Sequence, residues 1–151
     1  MDQFTRIKRS GEKVGEVSGV VSLGYARREK TRQKIRLTSG ESIGIRLPRG
    51  TIMRGGDYLQ SDDNRVIAVV AASERVSTVH AQDPEILARV AYHLGNRHVW
   101  VQVGNGWLRY LADHVLDEMV QGLGCKPESE IAPFEPEGGA YHAHHHTGQD
   151  K

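Results

Sequence analysis

Residues 140–147 read AYHAHHHT and place four of the chain's eight histidines, His142, His144, His145 and His146, within five positions. Imidazole is the commonest side-chain ligand for borderline ions such as nickel, copper and zinc. A short histidine-rich tract therefore points to metal handling, without saying what becomes of the metal. Ala143 interrupts the run and TGQDK follows it, unlike the unbroken run of an affinity tag. The other histidines are His80, His93, His98 and His114, and Cys125 is the one cysteine, so there is neither a disulfide framework nor a CxxC metal knuckle. No Walker motif, HExxH or GxSxG elbow occurs, so the expected chemistry is binding rather than catalysis.

The elements that must position these rings change character along the chain. RQKIRLTSGESIGIRLPRG alternates Ile35 and Leu37, then Ile43, Ile45 and Leu47, around TSGES, which predicts a hairpin with one apolar face. RVIAVVAA (Arg65–Ala72) is a β-branched run suited to a strand buried on both faces. No helical period precedes residue 82, so the first half reads as a small all-β domain.

In the second half, Glu74–Ala81 suits a strand, and QDPEILARVAYHLGNR suits a helix. Asp83 is its N-cap, Pro84 its first residue and Gly95 its C′ stop, with Ile86, Leu87, Val90, Ala91 and Leu94 as the apolar stripe. His98–Val103 alternates as a strand, Asn105–Gly106 marks a turn, and WLRYL is the partner strand. Asp113 caps a second helix whose stripe is Val115, Leu116, Met119, Val120 and Leu123, ending at Gly124. A last extended stretch, SEIAPFEP, follows. The expected fold is α+β: an all-β N-terminal domain (1–73), a ferredoxin-like β-α-β-β-α-β domain (74–137) and a flexible histidine-containing tail (138–151). Two helices should cover one face of the second sheet and leave the other open.

Alternation then sorts the remaining histidines. Val99, Val101 and Val103 should pack under the helices, while His98, Trp100 and Gln102 face the open side. There His98 reads either as a solvated strand residue or as a ligand, and the large aromatic beside it favours an interface. His114 takes the first position of the second helix, away from the apolar stripe. The positive helix end keeps its ring neutral but also repels a cation. His93 reads as structural, His80 as without a role, and Cys125 as a small apolar residue.

Charge splits the chain. Residues 1–79 carry 15 Lys/Arg against 9 Asp/Glu, and residues 80–151 carry 5 against 10. Two units with different partners are implied. No apolar run is long enough to span a membrane and the start lacks a secretory core, so a cytoplasmic protein without membrane contact is expected. The basic stretch Arg27, Arg28, Lys30, Arg32, Lys34, Arg36 raises a nucleic-acid-binding module as one alternative. Alternation, however, places these charges on a solvated strand face with little aromatic interleaving, so no nucleic-acid partner is expected. A metal-dependent hydrolase using His98, His114 and Asp113 is the other alternative.

Three segments resemble the UreE-type urease accessory proteins, a family of nickel metallochaperones: LPRGTIMRGGDYL (Leu47–Leu59), AYHLGNRHVWVQV (Ala91–Val103), and LADHVLDEMVQGLG together with PFEPEGGAY (Pro133–Tyr141). The resemblance implies a β-rich first domain likened to chaperone peptide-binding modules and a ferredoxin-like domain that binds metal and forms a homodimer. The histidine closing GNRH, here His98, would be the principal nickel ligand, two copies facing each other across the dimer. Further ligands would come from His142, His144, His145 and His146. Some relatives carry an extra histidine two positions before that of DHVL, where this chain has Ala112, and His114 remains a candidate. The implied cargo is Ni(II), with Zn(II) or Cu(II) able to bind in vitro. The implied partners are the urease accessory GTPase and the apo-urease accessory complex. With four tail histidines, delivery is implied rather than storage.

Overall fold

Six strands and one helical turn build the unit Met1–Ala72: β1 (Gln3–Lys8), β2 (Val17–Leu23), α1 (Tyr25–Arg28), β3 (Arg32–Arg36), β4 (Ser42–Arg46), β5 (Tyr58–Ser61) and β6 (Val66–Ala71). They form one sheet in the order β2-β6-β5-β1-β4-β3. The computed structural model describes residues 1–138. The hairpin around TSGES forms between β3 and β4, Ile35 opposite Ile43. Gly40, at φ +97°, makes its turn. Ile35, Leu37, Ile43, Ile45 and Leu47 all enter the core with Phe4, Met53, Leu59 and Ile67. β6 runs between β2 and β5 as an interior strand, although Val70 is exposed, so burial on both faces is incomplete.

One element was not visible as a pattern. Residues 25–28 make a single helical turn, too short for a hydrophobic period. The turn carries Arg28 into the interior, where its guanidinium is fully buried, donates to the carbonyls of Leu23 and Met53 and stacks beside Tyr25. The expectation that Arg28 belongs to a solvated basic stretch is therefore corrected. The acceptors are the carbonyls of Leu23, at the end of β2, and of Met53, in the segment between β4 and β5. Backbone carbonyls are strong acceptors for a buried cation, and this tertiary use breaks the run 27–36 as a continuous charged track.

The unit Ser73–Lys151 contains β7 (Ser73–His80), α2 (Pro84–Asn96), β8 (Gln102–Val103), β9 (Trp107–Leu111), α3 (His114–Gly122) and β10 (Glu128–Pro133). Its sheet is antiparallel in the order β10-β7-β9-β8, the ferredoxin-like arrangement. Asp83 accepts the N–H of Glu85, and Asp113 accepts those of Val115 and Leu116, so both helices start where their caps predict. Val90, Leu94, Leu116 and Val120 meet Val79, Leu108 and Tyr110 of the sheet to form the second core. Val115, assigned to the stripe, is instead 57% exposed.

The other face of this sheet is not left open. Leu108 and Tyr110 point at the helices, so Arg109 and its partner Gln102 point away from them. The Gln102 side-chain oxygen accepts the N–H of Glu135, and the Val101 carbonyl accepts that of Glu137. β10 lies at the opposite edge from β8, so residues 134–137 return across the helix-free face like a strap, beginning at the fully buried Phe134. Periodicity reads single elements and carries no signal for an irregular segment that crosses a sheet.

β9 and α3 are tied by Tyr110, whose hydroxyl donates to Asp117 at 2.6 Å. Burial, then the bonded carboxylate, pushes the phenol well above its ordinary value, so it stays a donor across the physiological range. Tyr110→Phe keeps the ring and removes a hydrogen bond to a charged acceptor, so unfolding free energy should fall by about 1.5 kcal/mol. An unchanged urea midpoint would show that this bond contributes nothing net.

Candidate metal site

His98 is not on a strand. α2 continues through Gly95, the expected stop, to Asn96, and Arg97 is its C-cap. His98 then takes φ +59°, the left-handed region. Its N–H donates to Gly95 O at 2.9 Å and the N–H of Val99 donates to Leu94 O at 3.2 Å. These two bonds are the Schellman motif, with His98 in the C′ seat that glycine usually fills. Val99 closes the motif by packing against the core that contains Leu94. Tertiary packing of Val99 thus moved the helix end three residues past the position suggested by Gly95.

α3 ends the same way. Gly124 N–H donates to Gln121 O, Cys125 N–H to Val120 O, and Cys125 packs on the same core. There the C′ residue is glycine, at φ +99°. One chain thus contains the same motif twice, relaxed at Gly124 and occupied by a side chain at His98. A left-handed non-glycine residue costs about 1–2 kcal/mol, although histidine is among the residues enriched there. Such local strain is concentrated at functional sites.

The strand expected over His98–Val103 is reduced to Gln102–Val103 because its first residues are consumed in closing the helix. Val99 and Val101 pack on the second core as expected, but Val103 is 57% exposed. Gln102 pairs with Arg109, so continuing that antiparallel register brings Trp100 beside Leu111 and His98 beside Asp113. A cavity of about 260 Å³ lies there, lined by His98, Val99, Trp100, Leu111, Ala112, Asp113 and Leu116. His98 and Trp100 are both exposed at it.

The other assignments separate. His114 does not line this cavity; its ring nitrogen is 3.0 Å from the Glu118 carboxylate on the exposed side of α3. His93 is half-buried, edge-on to the ring of Tyr92, and His80 is an exposed strand end. His142, His144, His145 and His146 lie outside the described residues. Among the described residues, no group of three or more His, Cys, Asp or Glu side chains is placed to hold a metal. A hydrolytic centre from His98, His114 and Asp113 is accordingly not assembled. No helix among them is long and apolar enough to cross a membrane.

Family models cover nearly the whole chain: residues 6–72 match the UreE urease accessory protein, N-terminal domain, and residues 74–151 match the UreE urease accessory protein, C-terminal domain. The chain belongs to the UreE family of urease accessory proteins. It is similar to the urease accessory protein UreE of Janthinobacterium sp. (strain Marseille), 49% identical over 130 residues that cover 86% of this chain and 76% of the relative. A UreE of Pseudomonas putida is 49% identical over 142 residues, covering 93% of this chain and 84% of its own. The UreE of Proteus mirabilis is 50% identical over 114 residues, covering 76% and 71%.

Within this UreE-family chain, sequence reasoning missed the role of the backbone at His98. The available signal was a helix followed by no glycine at its true C′ position. His98→Gly should relieve the left-handed strain, partly offset by roughly 0.5–1 kcal/mol of extra chain entropy lost on folding. We expect a net gain of about 0.5–1 kcal/mol in unfolding free energy. Gly124→His, with no atom within 4 Å of the added Cβ, should lose a comparable amount through strain alone. Denaturant titrations of both variants check this, and a less stable His98→Gly would remove the argument that the side chain is kept against the fold's preference.

Proposed function

We propose that this chain is a nickel carrier: a cytoplasmic homodimer, without catalytic activity, that binds Ni(II) as cargo and delivers it to the apo-urease accessory complex and its GTPase during active-site assembly. Residues 74–137 carry the metal and the dimer contact, residues 138–151 supply tail ligands, and the β-rich residues 1–73 engage protein partners. Membership of the UreE family supports a role in urease maturation. The observation that carries the nickel reading is the placement of His98, an exposed imidazole seated at strained backbone beside a cavity.

A single imidazole cannot hold Ni(II) selectively, and the described residues of one chain offer no set of three donors. A second copy, facing across the exposed Trp100, supplies the second His98 ring. The strap supports the contribution of the tail: Glu137 bonded to Val101 roots residues 138–151 within a few positions of His98. His142, His144, His145 and His146 then add rings that detach one at a time, which suits cargo that must be released. His114 stands apart beside Glu118 and serves as an outer ligand. Zn(II) and Cu(II) compete for the same rings in vitro.

Calorimetric titration with Ni(II) at neutral pH should rank wild type tightest, the variant lacking all four tail histidines intermediate, and His98→Ala weakest. The order follows because one substitution removes two fixed rings per dimer, whereas each tail ring loses chain entropy on docking. Imidazole protonates at roughly pH 6.5 when free, so affinity should fall as pH drops through that range. Wild-type affinity in His98→Ala would overturn the assignment. Sedimentation of the metal-free protein at micromolar concentration should show a dimer; a monomer with and without nickel would exclude the shared site.

A further inference from the structure

The β3–β4 hairpin has two ends of different electrostatic character. Near its turn, Arg65 is ion-paired with both Glu41 and Asp2. At the other end Arg32 lies directly opposite Arg46 in the register, both exposed, and Lys30 and Arg49 flank them. Among the described residues, none of these four cations makes an ion pair. Like charges directly opposite each other on a sheet destabilise it, so the fold alone gives no reason for the pair. Beside them is a concavity of about 630 Å³, lined by Glu29, Lys30, Thr31, Arg32, Leu47, Pro48 and Arg49.

We propose that this concavity, with Arg32, Arg46, Lys30 and Arg49, is a docking site for a carboxylate-rich peptide segment of a protein partner. Guanidinium groups bind carboxylates bidentately, and three of the four cations are arginine. Glu29 is the one acid in the lining and sets the limit of the cationic surface. No aromatic ring lines the concavity; of the unit's rings, Phe4 and Tyr25 are buried and Tyr58 is half-buried outside the lining, so stacking platforms for nucleic-acid bases are missing here. The remaining lining, Leu47, Pro48 and Thr31, suits the backbone and aliphatic stems of a peptide. The site rests on the partner-binding role proposed for residues 1–73 and gives it a ligand class; it is independent of the nickel reading, because it uses none of the histidines.

The test uses the full-length, metal-free protein and two fluorescent probes: a Glu/Asp-rich peptide of about twelve residues and a single-stranded oligonucleotide of equal net charge. The peptide should bind at low salt and weaken as ionic strength rises toward physiological levels. Arg46→Glu should weaken peptide binding about tenfold, while the control Lys126→Glu leaves it unchanged. The same Arg46→Glu replaces a repulsive cross-strand pair with an attractive one, so Tm should rise by about 2 °C, which excludes misfolding as the cause. Nickel affinity should not move. Absence of peptide binding at low salt, equal loss in Lys126→Glu, or tighter binding of the oligonucleotide would each overturn the proposal.

Discussion

The Schellman closure of α2 is the constraint on which the second unit's arrangement turns. Two backbone bonds, His98 to Gly95 and Val99 to Leu94, reverse the chain out of the helix. The reversal fixes where the approach to β8 begins, and therefore how much of that segment remains to pair with β9. It leaves a two-residue strand, the shortest among the described residues. It also turns Val99 inward onto the core and leaves His98 outward beside Asp113 and Trp100. The same motif at Gly124 lacks a side chain in the left-handed seat, so the geometry itself does not require histidine there. A side chain held on a rigid helix end has less conformational entropy to lose in any contact than one on a mobile segment.

The helix-free face of the ferredoxin-like sheet is furnished by long-range contacts. Arg109 spans it, donating to Thr78, lying over the ring of Trp107 at 4.6 Å and approaching Glu130 at 3.5 Å. The strap then crosses from β10 to the β8 edge and ends with Glu137 on Val101. Each contact is modest alone, but together they tie all four strands of the sheet, β7, β8, β9 and β10, to residues 134–137. Residues 134–137 therefore end at the β8 edge rather than at the far edge where β10 lies.

Polar groups in the first unit show how similar residues serve different ends. Arg28 is buried and donates to the carbonyls of Leu23 and Met53, and Arg65 links Asp2 to Glu41. The hydrogen bond from Arg65 holds the Glu41 carboxyl below its ordinary value. Any stabilisation from that pair is complete above the usual carboxylate range and is lost as pH falls through the lowered value. Arg32 and Arg46, by contrast, face each other without an acid. The excess of positive charge in the first half is thus unevenly distributed: neutralised at one end of a hairpin and concentrated at the other.

The sequence by itself determined the elements whose signals are local. Alternation in RQKIRLTSGESIGIRL dictated the β3–β4 hairpin, and Asp83–Pro84 and Asp113 set both helix starts. The order of the last six elements specified a ferredoxin-like unit, because caps, turns and periodicity act over a few residues. The histidines also identified themselves by type, and the family resemblance carried by GNRH made His98 the candidate ligand. Tertiary structure alone decided the rest. Gly95 offered a helix stop that was not used, because Val99 gains apolar contact by closing the helix three residues later. Arg28 was read as a surface charge but is buried, because its acceptors are carbonyls at Leu23 and at the distant Met53. The sheet face read as open is crossed by residues 134–137, whose anchors, Val101 and Gln102, are more than thirty residues away in the chain. In each case the deciding partner is remote in sequence, and a pattern read within one element carries no information about it.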